Sequence, residues 1–166
     1  MLNLKNTHYG AFMKSEINQK WDKRFIDMAC LVGSWSSCIR ENRQVGAVIT
    51  KNHRIVSTGY NGAPAGVKNC KERGVCLRDQ LHIKSGTMLE MCIGMCAEQN
   101  AIAQAAKMGV SVDGGTIYVT HRPCPVCTRM IINAGIKRIV YKDEYPNDFS
   151  LQLIKEAGIE LDHFEG

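Results

Sequence analysis

Residues 116–141 read Thr116-Ile117-Tyr118-Val119-Thr120-His121-Arg122-Pro123-Cys124-Pro125-Val126-Cys127-Thr128-Arg129-Met130-Ile131-Ile132-Asn133-Ala134-Gly135-Ile136-Lys137-Arg138-Ile139-Val140-Tyr141. Thr116 to Thr120 is a β-branched and aromatic run, which predicts a strand. Pro125 to Ala134 predicts a helix, with proline in its first turn and Gly135 just past its end. Lys137 to Tyr141 predicts a second strand. A strand, a helix and a strand in close succession indicate parallel pairing, with the helix lying on a face of the sheet.

The same alternation continues outward. Asp148 to Ala157 predicts a helix, and Ile159-Glu160-Leu161 a short final strand. Upstream, Cys96 to Lys107 is rich in strong helix formers and Gly109 ends it. Val45 to Thr50 and Arg54 to Thr58 read as an antiparallel pair turned at Lys51-Asn52-His53. Trp21, Phe25, Met28, Val32, Trp35 and Ile39 fall four and three apart, predicting an amphipathic helix of about five turns. Tyr60 to Gly66 has loop chemistry throughout. Residues 67–95 predict an irregular cysteine-bearing insertion with one short helix. Residues 1–18 are polar and unpatterned, and predict a lightly docked N-terminal arm. The fold expected is α/β: a single domain over 1–166, a three-layer α/β/α sandwich around a mixed sheet of about five strands.

A chain of 166 residues, 45% hydrophobic, is the size of one domain and excludes disordered, collagen-like and coiled-coil classes. The net charge of +5 is spread along the chain. It suits an anionic small molecule rather than nucleic acid, which wants basic clusters on one face. No apolar run approaches a membrane span, and Met1 to His8 lacks the apolar core of a signal peptide. A cytoplasmic protein without a membrane partner is therefore expected. In that reducing compartment, 8 cysteines point to metal ligands or buried thiols before disulfides.

Two fragments carry the chemistry: Cys96-Ala97-Glu98 opening one helix, and Pro123-Cys124-Pro125-Val126-Cys127 opening another. A Cys-x-x-Cys at a helix start sets two sulfurs at the same end, and Cys96 at a neighbouring helix start supplies a third. Three protein ligands are the catalytic zinc count, leaving one position for water. Glu98, two residues from a ligand, is placed to handle that water's protons. Three thiolates leave the site one negative charge beyond a His-Cys-Cys set, and two helix N-termini offset it. Arg122 or Arg129 could add hydrogen bonds to sulfur.

Taken together, Cys96-Ala97-Glu98-Gln99-Asn100-Ala101 and Pro123-Cys124-Pro125-Val126-Cys127 resemble the zinc motifs of the cytidine/deoxycytidylate deaminase superfamily. Within it, Thr58-Gly59-Tyr60-Asn61-Gly62-Ala63-Pro64 and Tyr118 to Tyr141 resemble the deoxycytidylate deaminases, and the likeness runs from about residue 20 to 160. Cys96 departs from the histidine usual in that group. The resemblance implies a cytidine-deaminase-type fold and hydrolytic deamination of dCMP to dUMP and ammonia, a cyclic-amidine hydrolase supplying dUMP for thymidylate synthesis. It implies Zn2+ on Cys96, Cys124 and Cys127 with Glu98 as the proton carrier. It also implies a homo-oligomer, often a hexamer, controlled by dCTP and dTTP, with Mg2+ only alongside a bound triphosphate.

By the same resemblance Arg40 fits the segment that contacts the 5′-phosphate, with Arg43 in reserve because this loop is slightly long. Asn61 and Tyr145 are further substrate-binding candidates. Cys70, Cys76, His82 and Cys92 could hold a second, structural zinc, or be free buried thiols. Met88, Met91 and Met95 read as core or interface filler. The rival readings are another zinc deaminase (of cytidine, a 5-substituted dCMP or a riboflavin-pathway pyrimidine) and a non-catalytic accessory protein on the same fold. An adenosine deaminase of tRNA would want a basic helical tail, and Glu160 to Gly166 is acidic.

Overall fold

The computed structural model describes residues 5–84, 86–146 and 148–166, the side chains of 5–17 and 41 excepted. Strands β1 (Gly46–Lys51) and β2 (Arg54–Tyr60) form the expected antiparallel hairpin. Strand β3 (Thr116–His121) runs antiparallel to β1 and parallel to β4 (Arg138–Asp143), which is parallel to β5 (Glu160–His163). The mixed five-stranded sheet has the order β2-β1-β3-β4-β5. Its helices are α1 (Lys5–Gly33), α2 (Cys70–Arg73), α3 (Leu77–Gln80), α4 (Ala97–Lys107), α5 (Pro125–Asn133) and α6 (Phe149–Glu156).

Successive strand residues point to opposite faces, and here both faces are covered. On one side Phe25, Ile26, Ala29 and Val32 of α1 pack on Val48, Tyr118 and Val140. On the other, Ala97, Ala101 and Ala105 of α4, Ile131 of α5 and Ile154 of α6 cover Ala47, Ile49, Ile117, Val119 and Ile139. This is the three-layer arrangement. An ion cluster locks α1 in place: Arg138 donates to both carboxylate oxygens of Asp22 at 2.7 and 2.8 Å, and the Tyr118 hydroxyl donates to Asp22 at 2.9 Å.

Three expectations need correction. Of the arm expected over residues 1–18, 1–4 lie outside the described residues, and 5–18 are the first turns of α1, because the segment has no proline and runs directly into the apolar seam. The seam stops at Val32 rather than Ile39. The amide of Ser34 donates to the carbonyls of Cys30 and Leu31, and that of Trp35 to Val32, closing the helix in a tight last turn. Trp35 is left 56% exposed and Ile39 38%. The insertion holds two short α-helices and a 3-10 turn, Leu89–Met91, instead of one helix. The missed signal is Asn69 and Glu72, which bond each other's backbone amides at 3.0 and 2.8 Å as a capping box. Met88 and Met91 accordingly lie at that turn and not along a helix.

The spacing of α4 from the sheet is set by an absent side chain. A Cβ on Gly59 would stand 2.3 Å from the Ala97 carbonyl and 2.4 Å from the Ala101 amide, so α4 lies backbone-on-backbone against β2. The Ser57 hydroxyl donates to the Ala101 carbonyl at 2.6 Å beside it. Neither obstacle is a flexible side chain. Gly59→Ala is therefore expected to destabilise the fold by about 3 kcal/mol, read as a lowered denaturant midpoint with unchanged m-value.

Candidate active site

Two helices aim their first turns at one point. The Gly62 and Met95 backbones exchange hydrogen bonds at 3.2 and 2.9 Å, fixing the chain just before Cys96. The Cys96 amide then donates to Oε1 of Gln99 at 2.9 Å as α4 begins. The end of β3 delivers Pro123 and Cys124 to the start of α5, where the Cys127 amide donates to the Cys124 sulfur at 3.5 Å. The thiols of Cys96, Cys124 and Cys127 all lie within 4.8 Å of one another. All three sit where helix dipoles favour negative charge.

That environment sorts the protons. Cys124 accepts hydrogen bonds from the thiols of Cys127 and Cys96, which bring its pKa down to about 3. The same bonds, with burial, push the other two thiols up. Soft donors converging at two helix N-termini fit zinc, with three protein ligands and room for water. Glu98 is 5% exposed on α4. Burial and then the Cys124 charge raise its carboxyl to about 7, which suits a group that must both take and give a proton near neutrality.

A cleft of about 620 Å³ opens onto these groups. Arg40, Arg43, Asn61 and Tyr145 all line it, as the sequence reading required. Their surroundings differ. Arg40 makes a two-pronged ion pair with Asp79 of α3. Arg43 has no ion-pair partner among the described residues. Its charge is felt by His121 and Tyr145, which also line the cleft. Asn61 straps the loop below it: Oδ1 accepts from the Val45 amide at 2.8 Å and Nδ2 donates to the Arg43 carbonyl at 2.7 Å. Tyr145 is half-buried, its pKa raised by burial and then by the charges of Cys124 and Cys96.

Two expectations find no support in the geometry. Among the described residues no second set of three metal-ligating side chains converges around Cys70, Cys76, His82 and Cys92. Cys70, Cys76 and Cys92 line the cleft together with Cys38, whereas His82 is exposed and does not. Nor does Arg122 turn to the sulfurs. It is buried on Glu144, Ser150 and the Tyr145 carbonyl, because Asp143 to Ser150 folds back over it, and Arg129 is exposed. Sequence reasoning missed Arg78, a buried arginine in the cleft wall, because nothing in the pattern of the insertion marks it as inward-facing.

Residues 19–143 match the zinc-binding region of the cytidine and deoxycytidylate deaminases. The chain belongs to that family. It is 36% identical over 142 residues to the deoxycytidylate deaminase of Schizosaccharomyces pombe, a match covering 85% of this chain and 43% of the yeast protein. It is 35% identical over 146 residues to ComE operon protein 2 of Bacillus subtilis, covering 87% of this chain and 71% of that one. The chain thus spans less than half the length of the yeast relative. Its fold is similar to the dCMP deaminase of cyanophage S-TIM5 solved with dCMP and dUMP, with TM-score 0.68 and 30% identity over 85% of this chain and 94% of the phage protein.

Metal content should follow the three thiols. Cys124→Ala is expected to remove about one zinc equivalent per chain by elemental analysis, and Cys76→Ala none.

Proposed function

We propose that this protein hydrolyses dCMP to dUMP and ammonia, at one zinc held by Cys96, Cys124 and Cys127. The observation that carries the reading is the buried Glu98 carboxyl beside three converging thiols, in a chain whose relatives include named deoxycytidylate deaminases. When bound, zinc supplies Lewis acidity that lowers the pKa of a water at the site. Glu98 accepts one proton of that water and delivers it to N3 of the cytosine ring, then takes the second proton from the hydroxyl added at C4 and passes it to the amino group, which leaves as ammonia. Its raised pKa keeps the carboxyl able to change state at neutral pH. The half-buried cleft holds the base away from bulk water, where these transfers are most effective.

The 5′-phosphate is assigned to Arg43 first and Arg40 second. A guanidinium already bound two-pronged by Asp79 must exchange one anion for another, whereas Arg43 lines the cleft with no ion-pair partner among the described residues. Asn61 sets the height of Arg43 through the backbone, and Tyr145 closes the opposite wall. Supply of dUMP for thymidylate synthesis, a homo-oligomeric state, a cytoplasmic location and control by dCTP and dTTP with Mg2+ belong to the same reading and rest on the family likeness. The accessory alternative is disfavoured by the geometry, since a binding module has no use for a buried proton carrier beside a metal group.

Glu98→Gln is expected to keep zinc and nucleotide binding while kcat falls by about 100- to 10,000-fold in an absorbance assay. Near-normal turnover by the zinc-loaded variant would take Glu98 out of the mechanism. Arg43→Ala should lower kcat/KM for dCMP by about ten- to a hundredfold and leave deoxycytidine turnover unchanged, the worth of one charge-assisted contact. Equal use of dCMP and deoxycytidine by the wild type would replace the nucleotide reading with a nucleoside one.

A further inference from the structure

Two walls of the cleft hang from buried arginines that touch neither the thiols nor Glu98 through any bond described above. Arg78 of α3 is 5% exposed. Its Nη1 donates to the Met88 carbonyl at 2.5 Å, and its Nη2 to the carbonyls of Lys84 and Thr87 at 3.0 and 2.6 Å. The three acceptors converge because Met88 sits in the left-handed region at φ 43° and turns the chain back. All three are neutral carbonyls, so the guanidinium acts as a planar fork that spaces backbone, not as half of an ion pair.

Arg122, which also lines the cleft, is likewise 5% exposed. Its Nε donates to Glu144 at 2.7 Å, Nη1 to the Ser150 hydroxyl at 3.2 Å and Nη2 to the Tyr145 carbonyl at 2.5 Å. Its own amide donates to the Asp143 carbonyl at 2.8 Å. This holds the backbone that presents Tyr145.

The two suspended segments meet at one place. Gly86, at φ 81°, lies beside Tyr145, where a Cβ on it would make an ordinary van der Waals contact with the tyrosine hydroxyl at 3.4 Å. Gly86 and Tyr145 line the cleft with Cys96, Glu98 and Cys124. We propose that Arg78 is a positioning residue for the reaction: it holds Lys84, Gly86, Thr87 and Met88 at the height where Gly86 meets Tyr145 and roofs the cleft, so its influence on substrate use passes through Tyr145.

The kinetic part rests on the deaminase reading; the backbone part does not. A lysine reaches at most part of the carbonyl cage and lacks the planar fork, so Arg78→Lys should behave like Arg78→Met instead of rescuing it. In Arg78→Met the amides of Gly86, Thr87 and Met88 should exchange hydrogen at least about tenfold faster while the amides of β1 and β3 keep their protection. KM for dCMP should rise about tenfold in Arg78→Met and in Tyr145→Ala, with kcat within about twofold. The double variant should be no worse than the worse single one, because both changes open the same contact.

Losses that multiply in the double variant would make Arg78 independent of Tyr145 and overturn the proposal, as would unchanged exchange at Gly86, Thr87 and Met88 or full rescue by lysine. Should Arg78→Met fail to fold, Gly86→Ala leaves every carbonyl of the cage in place. It should raise KM in the same way, because a side chain at φ 81° strains the segment that meets Tyr145, and an unchanged KM there overturns the roof. A wild type inert toward dCMP would remove the deaminase reading, and hydrogen exchange would then decide for or against the backbone part alone.

Discussion

The backbone of α4 rests on β2 with no side chain between them at Gly59, and the geometry of the site follows from that contact. A helix so close to the sheet needs small residues at the contact, and Ala97, Ala101 and Ala105 are buried there. The start of the helix then falls at the loop after β2, where Gly62 and Met95 pair, and Cys96 is delivered beside the thiols of α5. Because β3 and β4 are parallel, the chain leaves β3 at the same sheet end and must begin α5 there. Close packing on one side and strand direction on the other leave a single place for the two helix N-termini to meet.

Much of this was legible in the sequence, and the reasons are specific. Periodicity marked both central strands, the hairpin and all three helices on the thiol-bearing face, because each is bounded by proline, glycine or a cap. The thiols and Glu98 were legible because their spacing is fixed by helix geometry. Long-range pairing is what escaped. Arg40 looked like an open anion site, yet Asp79, far along the chain, lies against it. Arg122 looked ready for sulfur, yet a later loop wraps it. Trp35 and Ile39 fit the heptad-like spacing of α1 but lie past the turn that closes the helix, where the apolar pattern runs on without a face to bury. In each case a side chain's partner comes from elsewhere in the chain, and no local pattern names it.

Charge in the cleft is divided by position. The acidic groups gather at one end, where the thiols of Cys96 and Cys124 and the Glu98 carboxyl sit at the first turns of α4 and α5. Positive charge stands in the walls, on Arg43 and Arg78, with Arg40 neutralised by Asp79. A ligand with a neutral ring and an anionic tail is oriented by that division before any single contact forms. Tyr145 lines the same cleft, its pKa raised by burial first and then by Cys124 and Cys96, with Arg43 and Arg78 acting the other way.

The strap made by Asn61 has a consequence for how the walls can change. It fastens the Arg43 carbonyl and the Val45 amide to the end of β2, so the far end of the loop cannot drift. Residues Glu41–Arg43 form one 3-10 turn just before the clamp. Because the strap holds Arg43 itself, a residue added to or removed from that turn is taken up toward Arg40, and the backbone that presents Arg43 keeps its place beside the cleft. The length of the loop and the position of its last arginine are therefore mechanically separable.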